Sequence, residues 1–169
     1  MNEVEIGLTK RAVRAYSFDD VAVVPSRRTR DPEDVSLAWS IDAFNFSMPV
    51  IAAPMDSVMS PATAITLGKL GGLGVLNLEG LWTRYDDPTP VYEEIASLTD
   101  EEATRVLQRI YSEPIKAELI EARLQEIRDS GVPVAGSLSP QHTQEFSETV
   151  VKAGVDLFVI RGTTVSAEH

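Results

Sequence analysis

Three short stretches of this sequence place side chains or backbone groups where they could do chemistry. The first is Ala53-Pro54-Met55-Asp56-Ser57, in which a thioether, a carboxylate and a hydroxyl follow an apolar run. On spacing alone it is a helix-entry turn, with Asp56 or Ser57 capping and Met55 packing. The second is Arg161-Gly162-Thr163-Thr164, whose guanidinium suits a phosphate or a structural ion pair with a neighbouring loop. The third, Gly71-Gly72-Leu73-Gly74-Val75, invites comparison with a phosphate loop. Its glycines precede a strand instead of linking strand to helix, so a tight helix-to-strand turn is the better reading. His142 and His169 are the only histidines and cysteine is absent, which argues against a zinc site and excludes a thiolate nucleophile in this chain. No serine sits in a nucleophile-elbow sequence. Glu93-Glu94 and Asp100-Glu101-Glu102 read as solvated faces, not acid–base pairs.

The elements that must position these residues follow a repeating order. Pro49 to Ala53 is a continuously apolar strand of the kind buried on both faces in a parallel sheet. Ser60 and Pro61 then open a helix that Gly71-Gly72 ends, and Leu73-Gly74-Val75-Leu76 is the next strand. Pro114 opens a helix with Ala117, Ile120, Leu124 and Ile127 on one face, closed by Gly131 before the strand Val132 to Gly136. Ser139-Pro140 repeats the cap-plus-proline start, Gly154 closes that helix, and Asp156 to Ile160 is the fourth strand. Helix, glycine, strand in recurrence predicts βα units with right-handed crossovers. The sites of such units lie at the C-terminal ends of the strands.

Residues 1–48 read as a leader with two short strands, Val21 to Val24 (ended by Pro25) and Val35 to Ile41, and residues 49–169 as the βα units. An acidic insertion at about 79–112 interrupts the second unit. Thr99 and Glu102 make a capping box for a helix striped by Ala103, Val106, Leu107 and Ile110. The segment Thr83 to Pro90 before it is a turn-rich loop. The net charge of −11 disfavours nucleic-acid binding. No apolar run reaches the roughly 20 residues of a membrane span. The acidic start lacks a signal-peptide pattern, so the cytoplasm is the expected compartment.

Tyr16-Ser17-Phe18-Asp19-Asp20-Val21, Pro54-Met55-Asp56-Ser57-Val58 and Gly71-Gly72-Leu73-Gly74-Val75 together resemble the IMP dehydrogenase / GMP reductase family. The resemblance runs from about Ala15 to Leu78 and from Glu113 to Thr163. It implies an α/β fold, the N-terminal half of a TIM (β/α)8 barrel, with a β-rich N-terminal leader and a short helical insertion in place of the family's CBS modules. The chain looks closest to the CBS-less, IMP-dehydrogenase-related branch. Ala53 and Met55 map onto nucleotide contacts, with the methionine against the purine base, and Asp56 maps onto the neighbouring motif acid. Arg161, Gly162 and Thr163 map onto the dinucleotide side, where typical IMP dehydrogenases carry Asp-Ser-Ser. Arginine can only donate, so NAD geometry differs there or a phosphorylated cofactor, NADP, is used. Val24 and Pro25 map onto a segment that reaches a neighbouring subunit's adenosine in several bacterial relatives. Asn77-Leu78-Glu79 departs from the family's usual His-Lys-Asn.

The implied chemistry is attack of a cysteine thiolate on C2 of the purine, hydride exchange with a nicotinamide, and release of the covalent intermediate. That cysteine, and any monovalent-cation site, would lie in a second half-barrel, as part of the same or a separate polypeptide. A homotetramer acting on IMP or GMP is the expectation. The other class of reading is a non-catalytic module that keeps the nucleotide-contact loops. A metal site is not expected.

Overall fold

The computed structural model describes residues 3–6, 10–13, 15–24 and 31–162. Two compact units divide the chain, Met1–Ser36 and Leu37–His169. The predicted leader boundary at residue 48 thus falls inside the second unit.

The first unit holds β1 (Glu3–Ile6) and β2 (Lys10–Val13), paired antiparallel. The motif residues Phe18–Asp20 form one 3-10 turn, in which Asp20 accepts hydrogen bonds from both the amide and hydroxyl of Ser17. Val21 to Val24 is not a strand, and Val21, Val23 and Val24 are exposed. A β-strand needs a ladder partner as well as branched side chains, and none is recorded for this segment among the described residues. Pro25 lies outside the described residues.

In the second unit the predicted strand 35–41 shortens to β3 (Trp39–Ile41), which pairs antiparallel with β4 (Phe44–Phe46). Pro32–Asp34 curls the preceding chain into a 3-10 turn, and Asp42 takes φ 50° at the hairpin tip, a left-handed conformation that aspartate tolerates. Trp39 stacks on Phe46 with ring centroids 4.5 Å apart and donates its indole N–H to the Met48 carbonyl.

Four parallel strands follow in the order β5 (Ile51–Ala52), β6 (Leu73–Asn77), β7 (Ala135–Leu138) and β8 (Leu157–Ile160). Between them run α1 (Pro61–Lys69), α2 (Thr89–Ala96), α3 (Asp100–Tyr111), α4 (Ala117–Asp129) and α5 (Pro140–Lys152). The closing glycines Gly71, Gly131 and Gly154 all have positive φ, which ends each helix at little steric cost. This is an α/β fold and half of a TIM barrel.

The pleat divides the strands between two cores. Leu76, Leu78 and Leu138 face outward and pack with Ile120, Leu124, Ile127, Phe146 and Val150 of α4 and α5. Each fully buried leucine or isoleucine contributes about 1.5–3 kcal/mol. Leu73, Val75 and Ala135 face inward and meet Phe46, Trp39 and Phe44 of the hairpin. The hairpin therefore plugs one end of the half-barrel, and the polar Asn77 and Ser137 lie two residues further along the same face. Α2 was not foreseen: Pro88 and Pro90 mark a loop by composition, yet they sit at a helix start, where a missing N–H costs nothing.

Candidate functional site

At the C-terminal end of β5 the chain turns sharply on itself. The Met55 amide donates to Ala53 O at 2.8 Å, and the Val58 and Met59 amides donate to Met55 O at 2.9 and 2.8 Å. Ser60 then caps α1, its hydroxyl accepting from the Thr63 amide. The helix cap is thus Ser60, which releases Asp56 and Ser57 from that task. Met59 turns into the core at 2% exposure, while Met55 points out at 51%.

Asp56 has other work. Its Oδ1 accepts from Asn77 Nδ2 at 3.1 Å, and its Oδ2 from the Leu81 amide at 3.1 Å and the Tyr111 hydroxyl at 2.6 Å. Its backbone carbonyl accepts from the Tyr92 hydroxyl at 2.9 Å. The insertion therefore reaches the loop from both of its helices. Burial, then the nearby Asp56 charge, pushes the Tyr92 phenol up to about 12. Burial and the hydrogen bond to Asp56 push the Tyr111 phenol higher still. Both remain neutral donors at any physiological pH. Beside them a groove of about 530 Å³ runs between Ser57–Ser60 and Trp82, Tyr92 and Ile95.

A second tie joins β6 to α5. Glu79 accepts from the Ser139 amide with Oε1, and His142 Nδ1 stands 3.0 Å from Oε2. Burial opposes ionisation of Glu79, but the Ser139 amide, the His142 ring and its charge together outweigh it and hold the carboxyl below its usual range. Ser139 Oγ lies 3.3 Å from the same Nδ1, so serine and glutamate share one ring nitrogen and no relay through the imidazole results. Arg84 is buried, donates to the carbonyls of Glu79 and Glu113, and lies 5.8 Å over the Tyr111 ring.

Across the mouth, Arg161 at the end of β8 donates from Nη1 to Pro54 O at 2.9 Å. Among the described residues no carboxylate forms an ion pair with it. Ser137 Oγ, fully buried on the inner face of β7, has no hydrogen-bond partner among the described residues, a deficit worth about 1–3 kcal/mol. No group of three or more His, Asp or Glu that could hold a metal occurs among the described residues.

Ala53, Met55, Asp56 and Arg161 thus come together at one end of the half-barrel, with Gly162 beside Arg161. Thr163 lies outside the described residues, as does Pro25, and Val24 belongs to the first unit as exposed, irregular chain. Asn77 and Glu79, noted in the sequence only as departures, are structural partners of this end. Tyr92, Tyr111 and Arg84 had no signal of their own.

A strand-end site on this half-barrel invites comparison with known proteins. Residues 15–167 match the model described as the IMP dehydrogenase / GMP reductase domain. The chain belongs to this family. An uncharacterized oxidoreductase of Mycolicibacterium smegmatis is 46% identical over 171 residues, covering 98% of this chain and 46% of that protein. An inosine-5'-monophosphate dehydrogenase of Methanocaldococcus jannaschii is 38% identical over 66 residues, 39% of this chain and 13% of that protein. The crystal structure of an IMP dehydrogenase/GMP reductase-like protein from Corynebacterium glutamicum superposes with a TM-score of 0.83 at 46% identity, covering 99% of this chain and 46% of that one. The chain thus spans somewhat under half the length of the M. smegmatis and C. glutamicum relatives. Among the described residues no helix is long and apolar enough to cross a membrane.

Proposed function

We propose that this chain supplies the N-terminal half of an IMP dehydrogenase-type oxidoreductase, which converts IMP to XMP with NAD once the second half of the barrel is in place. The observation that carries the reading is Met55, half exposed at the end of the first barrel strand on a loop that Asp56 fixes. A polarisable thioether suits the face or edge of a purine ring. Ala53 lines the same approach, and Asp56 sets the backbone that aims Met55.

The reaction takes hydride from C2 of the purine and puts oxygen from water there. A bound nicotinamide supplies the hydride acceptor. In this chain Arg161, Gly162 and Thr163 would meet the dinucleotide. The donor set fits an anionic group, because no carboxylate among the described residues pairs with Arg161, whose one side-chain hydrogen bond among them is to Pro54 O. The thiolate would come from the completing half, as would any monovalent-cation site. A homotetramer, in which Val24 and Pro25 reach a neighbour's adenosine, and a cytoplasmic role in GMP biosynthesis complete the reading.

Arg161 also favours a second reading. A guanidinium cannot accept from ribose hydroxyls but binds a phosphate well, which fits NADPH and the reverse-direction chemistry of a GMP reductase.

The test is co-expression of this chain with the C-terminal half of the M. smegmatis relative. A stable complex that reduces NAD in the presence of IMP is the expected result. Oxidation of NADPH with GMP would select the second reading. Failure to form a complex, or a complex inert with both nucleotides and both cofactors, would overturn the proposal in favour of a binding module.

A further inference from the structure

The Met55 side chain is half exposed, so its position is inherited from the turn beneath it. That turn is tied down by residues of the acidic insertion. Tyr111 ends α3 and donates to Asp56 Oδ2 at 2.6 Å across 55 positions of sequence. Tyr92 on α2 donates to Asp56 O at 2.9 Å across 36 positions. These bonds grip the residue directly after Met55, one on the side chain and one on the backbone. Arg84 backs the Tyr111 ring and is itself fixed by the Glu79 and Glu113 carbonyls, so the phenol does not hang free. Helices α2 and α3 are joined by the ion pair between Arg109 and Glu94.

We infer that the acidic insertion is a clamp for the nucleotide-facing loop, with Tyr111 and Tyr92 as positioning residues that set Met55 through Asp56. The inference rests on the nucleotide reading above. The clamp acts chiefly on the purine, because both phenols bind Asp56, directly next to Met55, whereas Arg161 touches the turn only through the Pro54 carbonyl. A further phenol in the same segment provides a control. Tyr85 donates to Ile110 O at 2.9 Å, which makes a comparable bond within the insertion without touching Asp56.

The experiment compares wild type with Tyr111→Phe, Tyr92→Phe and Tyr85→Phe in the chain alone and in the completed barrel. In the chain alone, amide hydrogen exchange is followed at Met55, Val58 and Met59. In the completed barrel, KM is measured for IMP and for the dinucleotide. Loss of a charge-assisted hydrogen bond predicts about tenfold faster exchange and about tenfold higher KM for IMP in Tyr111→Phe. Tyr92→Phe should move both in the same direction. The dinucleotide KM should stay within about twofold, and Tyr85→Phe should behave as wild type. Unchanged exchange in Tyr111→Phe, or faster exchange with an unchanged KM for IMP, overturns the clamp while leaving the nucleotide reading intact. Equal losses in Tyr85→Phe also overturn it, because they mark general loosening of the insertion. A wild-type complex that binds no purine nucleotide defeats the reading itself, a result seen before any variant is examined.

Discussion

At the scale of single residues, two carboxylates hold the mouth of this half-barrel, and they do so differently. Asp56 joins the insertion to the β5–α1 loop, whereas Glu79 joins the end of β6 to the first turn of α5. The ionised form of Glu79 is the one the fold stabilises, since its carboxyl is held below the ordinary 4.5. A depressed folded-state value gives stability that is present above the unfolded value and lost as pH falls through the folded one. Resistance of the wild type to urea is therefore expected to weaken as pH drops below about 4.5, and Glu79→Gln should show a flatter acid limb. Equal acid limbs for the two proteins would show that Glu79 is not part of that loss. Met55 and Asp56 were legible in the sequence because a short motif carries them. Their partners were not. A phenol that reaches a carboxylate from 55 positions away leaves no period, cap or spacing to read. Asn77 and Glu79 show the intermediate case: the sequence marked them as unusual, and only the geometry gives the reason.

At the scale of elements, helix α1 owes its place to a glycine that ends nothing. Gly74 lies within β6 on the outward face, and a Cβ there would come within 2.6 Å of Ala64 Cα and 2.8 Å of the Met59 methyl. The strand and helix touch backbone to backbone at this point. Gly74→Ala must push α1 away or displace Met59, which sits directly beneath the Met55 turn. The expected cost is about 1–3 kcal/mol in chemical denaturation, with no change in helix content. A change below about 0.5 kcal/mol would mean that the contact relaxes freely. The βα elements were legible because each carries its own punctuation. Ser60-Pro61 and Ser139-Pro140 start helices, and Gly71, Gly131 and Gly154 end them with positive φ. Strand residues 21–24 and helix α2 failed for opposite reasons. Val21 to Val24 has strand composition without a ladder partner. Thr89 to Ala96 has loop-like prolines that the first helical turn accommodates.

At the scale of the whole second unit, β5 pairs among the described residues only with β6 and β8 only with β7, so each outer edge carries no recorded ladder there and part of its apolar side chains stays exposed. Ile51 on the inner side is 55% exposed and Ile160 on the outer side is 58% exposed. Val159, which alternates with Ile160, is also exposed, and Val50 and Met55 extend the same apolar rim at the other edge. Two separate deficits meet here. Among the described residues no strand lies opposite Ile51, and no helix covers Ile160 as α5 covers Leu138. Unpaired strand edges beside exposed branched side chains are a template for association. The net charge of −11 opposes self-association, but it is screened within about 8–10 Å at ordinary salt. The edge should therefore dominate at short range. Without its completing half, the chain is expected to self-associate, with light-scattering mass rising above 18.5 kDa as concentration increases. The paired substitution Ile51→Lys with Ile160→Lys places like charges on the two edges and should return the mass to that of a monomer. Its far-UV circular dichroism should match the wild type, because neither side chain contributes to the buried cores around Leu76 or Phe46. The same variant should lose the capture of a C-terminal half-barrel, since those edges are where the fifth and eighth strands of a closed barrel would add. A wild type that stays monomeric at high concentration and binds no second half would mean the exposed rim is not a pairing surface.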